Sequence, residues 1–290
     1  MKYKSLLSII EDNDYIITND KLVLLFYRIK TNIPVILMGE PGCGKTALIF
    51  KLNQILNNGE INVEIINIYP RTTDEKLCEF MKRIDTKANE KNDKELWIFF
   101  DEMNTCLSLS FLTEIFINKT YNGNKFSDNI RLIGACNPYR RRKRNKEKFG
   151  IKISEDNDKE LVYLVQPLPQ SLLYYAFIFG RIEDNNEKKI YNIIEKLFSK
   201  DEKYLHEIKT EAISECHKYL RKIYDPSFVS LREITRFSKC MEFFQKYFTI
   251  KNEKEERENN EKNNKLRSII CSIYLCYYIR LTNDTIRSKF

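Results

Sequence analysis

Residues Gly39-Glu-Pro-Gly-Cys-Gly-Lys-Thr46 constrain this chain more than any other stretch. An apolar run, 33–38, leads into them, and Ala47-Leu-Ile-Phe-Lys-Leu52 follows with the look of a helix. A strand, a glycine-rich turn and a helix N-terminus in that order form a phosphate cradle, the P-loop. Gly42 and Gly44 let the backbone curl so that successive N–H groups point inward. Gly39, Glu40, Pro41, Gly42, Cys43, Gly44, Lys45, Thr46 and Ala47 are the expected nucleotide-binding residues. Lys45 is placed to bridge the β- and γ-phosphates, and the Thr46 hydroxyl to hold Mg²⁺. Three of the chain's 8 glycines fall in this loop, which argues against a chance match.

The rest of the composition sets limits. With 290 residues, 42% hydrophobic and 31% charged, the chain has material for a globular core and room for about two domains. Part of the net charge of +8 comes from Arg140-Arg-Arg-Lys-Arg144. That run is read as a solvated loop, or a face toward an acidic neighbour, rather than a nucleic-acid contact. No aromatic side chains are interleaved in it to stack on bases. The eight cysteines show no C-x₂-C pair, and His206 and His217 have no spaced cysteine partners. Zinc and a disulfide framework are therefore not expected, and a reducing, cytoplasmic setting is. No signal-peptide pattern opens the sequence. The longest apolar run, 269–279, is too short for a membrane span.

Along the chain, residues 1–30 read as a helical lead-in with a break over 14–20. Five short apolar strands are expected at 33–38, 63–68, 96–100, 130–136 and 161–165. Their nearly unbroken hydrophobicity suits parallel strands covered on both faces. Helices are expected at 45–57, 74–84 and 108–118, and a hairpin tip at Tyr121-Asn-Gly-Asn-Lys125. This is an α/β layer architecture with a parallel sheet, occupying 31–183. Beyond it, 184–290 reads as all-helical. One apolar stripe comprises Ile190, Ile193, Ile194 and Leu197; a second comprises Leu231, Ile234, Phe237 and Met241. A charged stretch over about 251–265 reads as a linker or an exposed helix end, and a final apolar helix follows.

Three further constellations carry chemistry. Leu96-Trp-Ile-Phe-Phe-Asp-Glu102 is a strand ending in two carboxylates: Asp101 for the Mg²⁺ shell, Glu102 to polarise an attacking water. Taken alone, the pair would be an ordinary strand-end cap. Ile130-Arg-Leu-Ile-Gly-Ala-Cys-Asn137-Pro138 places a neutral amide at the carboxyl end of another strand. There Asn137 can bond a γ-phosphate or a lytic water, where ligands of open α/β sheets bind. Ser230 is the expected N-cap of a helix that carries Arg232 in its first turn. A cation in that position opposes the helix dipole and hints at an anionic partner.

Together these segments resemble one family. Glu40-Pro-Gly-Cys-Gly-Lys-Thr, Phe-Phe-Asp-Glu-Met-Asn104, Gly-Ala-Cys-Asn-Pro-Tyr139 and Leu-Val-Tyr-x-Val-x-Pro-Leu-Pro169 look like an AAA+ unit of the mysterin family, giant RING-finger AAA+ ATPases and ubiquitin ligases. Phe179-Gly180, Phe-Val-Ser-Leu-Arg232 and the late Cys-Tyr-Tyr278 extend the likeness over about 30–281. The resemblance implies a P-loop AAA+ core with a five-stranded parallel sheet followed by an all-helical lid, ATP and Mg²⁺ as cofactors, and six units arranged as a ring. By motif, Gly39 to Thr46 would be Walker A, Asp101 and Glu102 Walker B, Asn137 sensor 1 and Arg232 sensor 2. Arg140, Arg141 and Arg142 are the candidates for an arginine finger. The sequence departs from the family in holding one unit and no RING, and in a basic, Lys- and Asn-rich segment after Asn137. Ligase activity and ubiquitin-pathway partners are thus implied only for the parent proteins.

The expected function is an ATP hydrolase of AAA+ type, its partners other AAA+ units of the same polypeptide or a homo-oligomer. Two alternatives stand beside it: an ATP-holding structural module without turnover, and a P-loop switch acting on nucleic acid through Arg140 to Arg144.

Overall fold

The computed structural model describes residues 18–57, 59–90, 94–140, 163–180, 203–224, 228–251, 257–281 and 284–290. The described residues fall into two compact units, 18–140 with 163–180, and 203–290.

In the first unit, helix α1 (Asn19–Lys30) precedes strand β1 (Val35–Gly39), helix α2 (Lys45–Leu56) and strand β2 (Val63–Asn67). Helix α3 (Asp74–Glu90), strand β3 (Leu96–Asp101) and the short helix α4 (Leu109–Thr113) follow, α4 widening into a looser turn over Glu114–Asn118. Strands β4 (Thr120–Tyr121) and β5 (Asn124–Lys125) form the expected hairpin. Then come β6 (Ile130–Cys136), helix α5 (Gln170–Leu173) and β7 (Ala176–Gly180). Five strands make one sheet in the order β2-β3-β6-β1-β7, every pair parallel.

The continuous apolar runs are explained by burial on both faces. In β3, Ile98 and Phe100 join the layer formed with Leu77, Met81 and Ile84 of α3, while Trp97 and Phe99 are equally buried on the opposite face. Phe100 meets Phe80 and Phe116 edge to face, at centroid separations of 6.2 and 5.3 Å. Gly134, at the middle of β6, is there for space: a Cβ on it would lie 2.5 Å from Met103 Sδ and 3.2 Å from Phe116 Cζ. Helix α1 is tied to the far edge by Lys21 Nζ, which donates to Ile178 O at 3.3 Å.

One expected strand is displaced. The fifth strand is not 161–165 but β7, Ala176–Gly180. Residues 163–165 are described and form no strand, while 161–162 lie outside the described residues. Leu164 is exposed, the next residue donates its N–H to Tyr163 O, and Gln166 N donates to Asn104 O. The segment's backbone bonds are therefore spent on a turn of its own and on the short turn that follows β3. Pro167 and Pro169 then remove the donors a further ladder would need. Four residues of helix α5 turn the chain back into the true edge strand.

The second unit is helical: α6 (Lys203–Ile223), α7 (Leu231–Lys251), α8 (Arg257–Cys276) and the short α9 (Asp284–Arg287). Ile234, Phe237 and Met241 are buried, three of the four residues of the expected stripe on α7, and Leu231 is half-buried. The start of α7 is a reciprocal cap. Arg232 N donates to Ser230 Oγ at 3.3 Å, and Ser230 N donates to Glu233 Oε2 at 2.7 Å. Helix α8 begins within the charged stretch expected to be a linker or an exposed helix end; residues 252–256 of that stretch lie outside the described residues. So do residues 1–17 of the expected lead-in and the stripe from Ile190 to Leu197. Among the described residues, no helix is long and apolar enough to cross a membrane.

Candidate functional site

Because β6 lies between β1 and β3, the carboxyl ends of these three strands stand side by side. The loop after β1 is the glycine-rich stretch. Gly42 (φ 71°) and Gly44 (φ 95°) are both left-handed, a region costly for other residues, and Gly44 caps α2 directly. The turn closes through Cys43 N, which donates to Glu40 O at 3.4 Å. The chain thus enters α2 with its positive end directed along the loop. Cys43 is fully buried and burial pushes its thiol pKa up, so it packs the loop and offers no thiolate.

Lys45 is buried within this turn. Its ammonium donates to Gly39 O at 2.6 Å and to Glu40 O at 3.1 Å, and lies 3.5 Å from Asn137 Oδ1. The next residue faces β3: Thr46 Oγ1 is 3.5 Å from Asp101 Oδ2. A hydroxyl and a carboxylate side by side are hard oxygen donors of the kind Mg²⁺ takes. Glu102 follows in a left-handed conformation (φ 56°, ψ 34°), its N–H bonded to Asp101 Oδ1 at 3.0 Å. A non-glycine residue there is strained, and such strain gathers at functional positions. The Glu102 side chain is exposed.

Asn137 is held by a residue to which the sequence reading assigned no role. Asn104, 1% exposed, accepts from Asn137 N at 3.2 Å and donates through Nδ2 to Asn137 O at 2.8 Å. One amide side chain therefore replaces a strand neighbour just past the ends of β3 and β6. The same Nδ2 reaches Gln166 O at 3.3 Å, and Asn104 O receives Gln166 N at 2.8 Å. Gln166, within the Val-Tyr-x-Val-x-Pro-Leu-Pro stretch, is thereby fastened beside the site. Asn104 stands within the quoted Phe-Phe-Asp-Glu-Met-Asn motif, but partners 33 and 62 positions away leave no local trace.

Arg140, three residues after Asn137, turns back to the glycine-rich loop. Its guanidinium lies 3.3 Å from Glu40 Oε1, with the Glu40 side chain 2% exposed. Arg141 and Arg142 lie outside the described residues, as do Lys143 and Arg144. Arg232 is exposed on the first turn of α7, in the second unit. The structure thus brings together the loop, Asp101, Glu102 and Asn137 within the first unit.

A family model described as the RNF213 AAA domain matches residues 15–140. The chain is 28% identical over 302 residues to the E3 ubiquitin-protein ligase rnf213-beta of Danio rerio, and covers 94% of this chain and 6% of that protein. To the E3 ubiquitin-protein ligase RNF213 of Homo sapiens it is 28% identical over 309 residues, covering 93% and 6% respectively. The chain therefore spans only a small part of these relatives. Among solved structures, a RuvB mutant of Thermotoga maritima matches with a TM-score of 0.47 and 15% identity, covering 87% of this chain and 67% of that one. Residues 15–140 thus match an RNF213-type AAA domain, and nearly the whole chain is similar to one segment of the RNF213, or mysterin, proteins.

Proposed function

We propose that this unit binds Mg-ATP in the loop from Gly39 to Ala47 and hydrolyses it. The observation that carries the reading is the meeting of Lys45, Thr46 with Asp101, and Asn137 at three adjacent strand ends. In this reading Lys45 exchanges its carbonyl contacts for β- and γ-phosphate oxygens. Thr46 and Asp101 hold Mg²⁺, which when bound neutralises charge on the phosphates. Glu102 takes the proton from a water whose oxygen bonds to the γ-phosphorus in line as the bond to the bridging oxygen breaks, giving ADP and inorganic phosphate. Asn137 orients that water or the γ-phosphate without adding charge. Arg232 couples the result to the helical unit. An arginine from a neighbouring unit completes the charge stabilisation, so turnover depends on a ring of such units in the cytoplasm.

Nucleic acid is disfavoured as the target, because Arg140 is drawn from the basic run onto Glu40. The test is equilibrium binding of a fluorescent ATP analogue together with phosphate release, on the full chain and on Glu102→Gln. Binding retained in both, with release lost in Glu102→Gln, supports the reading. No binding by the wild-type chain overturns it. Binding with no release even at ring-forming concentrations favours the structural ATP-holding module instead.

A further inference from the structure

We propose that Arg140 is a positioning residue that acts within its own unit. It neutralises Glu40 so that the glycine-rich loop can accept a polyphosphate, and it is not the arginine that reaches a neighbour's site. The inference rests on the nucleotide reading above and assigns a partner inside it.

Glu40 is an anion built into a loop whose other features all suit anions. The residue is 1% exposed, and its carbonyl closes the turn by accepting from Cys43 N and from Lys45 Nζ. Its charge is felt inside the loop: burial chiefly raises the Cys43 thiol, Lys45 opposes this, and Glu40 adds to the rise. A buried carboxylate in that position cancels the one positive charge that Lys45 brings. An incoming triphosphate would then meet a loop of no net charge. Arg140 restores the balance, with its guanidinium 3.3 Å from Glu40 Oε1 and its own side chain only 18% exposed. The next strand's exit supplies it, just past Asn137, whose amide faces Lys45. Both members of the pair are largely out of water, where an uncompensated charge costs far more than on the surface.

The consequence concerns affinity rather than the chemical step. Removing Arg140 alone takes its guanidinium away from the buried Glu40 carboxylate. Removing Glu40 alone leaves an extra cation at a phosphate site. Four forms of the full chain read this: wild type, Arg140→Met, Glu40→Gln, and the double variant. The measurement is the Kd for a fluorescent ATP analogue, with Trp97 emission reporting that the first unit is folded. Arg140→Met is expected to bind roughly tenfold or more weakly. Glu40→Gln should bind more tightly than wild type, and the double variant should recover most of the affinity lost in Arg140→Met. If Arg140→Met does not fold, the tighter binding of Glu40→Gln and the folding of the double variant still read the pair.

Three results overturn the inference. One is Arg140→Met binding as wild type while turnover at ring-forming concentrations falls, the signature of an arginine acting in trans. Another is weak binding in Arg140→Met that Glu40→Gln does not restore, which would place Arg140 on the nucleotide itself. The third is weaker binding in Glu40→Gln alone. A wild-type chain that binds no ATP analogue removes the nucleotide reading first, and this inference with it.

Discussion

Replacing Asn104 by alanine removes one buried amide and disturbs three strand-end segments at once. The side chain is the partner of both Asn137 N and Asn137 O, at 3.2 and 2.8 Å, and of Gln166 O at 3.3 Å. Asn137 is itself buried, so water cannot readily replace what is lost. Each buried main-chain group left without a partner costs about 1–3 kcal/mol. Two such groups, with a smaller share from the part-buried Gln166 carbonyl, give a loss of roughly 3 kcal/mol. At a urea dependence of about 2 kcal/mol per molar, the unfolding midpoint of the first unit falls by about 1.5 M. The assay is emission from Trp97, the chain's single tryptophan, fully buried in β3 of that unit. Asn104→Asp sharpens the test, because it keeps the volume but sets a carboxylate against two carbonyl oxygens. It should be at least as destabilising as alanine, which a role in packing alone would not produce. A midpoint within about 0.3 M of wild type for Asn104→Ala, or a harmless Asn104→Asp, would refute the reasoning.

Three further outcomes are expected. Gly134→Ala forces a Cβ into the space beside Met103 Sδ and Phe116 Cζ, and should cost about 1–3 kcal/mol by the same Trp97 measurement; an unchanged midpoint would show that Met103 moves aside freely. In the second unit, burial first, and then Arg221 and Arg280, depress the His217 pKa from 6.5 to about 3. The unfolded chain therefore binds the proton more readily, and this contribution to stability is whole above pH 6.5 and is lost progressively toward pH 3, with about 2 kcal/mol gone by pH 5. Helical circular dichroism through urea unfolding at pH 7 and pH 5 should show that loss, and His217→Asn should flatten it; equal slopes in the two proteins would count against the assignment. Finally, Asp101→Asn should reduce the factor by which Mg²⁺ tightens binding of the ATP analogue, read by titration with and without the metal, and an undiminished factor would place the metal elsewhere.

The strands that were legible are those whose burial leaves its mark on every residue. Leu96 to Phe100 are all buried, as are Leu132 to Cys136, so an unbroken apolar run is what such strands must look like. The turn over Asn122 and Gly123 was equally plain, since both adopt positive φ, where those residue types are cheapest. The fifth strand was misplaced because 161–165 has the same local pattern as a strand. What decides against it is distant: Gln166 N is claimed by Asn104 O, and two prolines follow. Edge strand β7 shows the converse, with Ile178 exposed in the middle of the strand and only one side available for pairing.

The candidate site divides along the same line. Gly42, Gly44 and Lys45 are legible because each is required by the conformation or charge of its own loop. The part played by Asn104 and the pairing of Glu40 with Arg140 are not, because both exist only once β6 is inserted between β1 and β3. That order makes the segment leaving β6 a neighbour of two loops that are otherwise linked by the Thr46–Asp101 contact at 3.5 Å. On one side Asn137 and Arg140 tie it to the glycine-rich loop; on the other Asn104 ties it to the end of β3. A segment so tied sets the distance between the lysine that would hold phosphate and the carboxylates that would act beside it. A change at Asn104 should therefore alter nucleotide affinity as well as stability. It should do so although the Asn104 side chain bonds Asn137 and Gln166 rather than the glycine-rich loop itself.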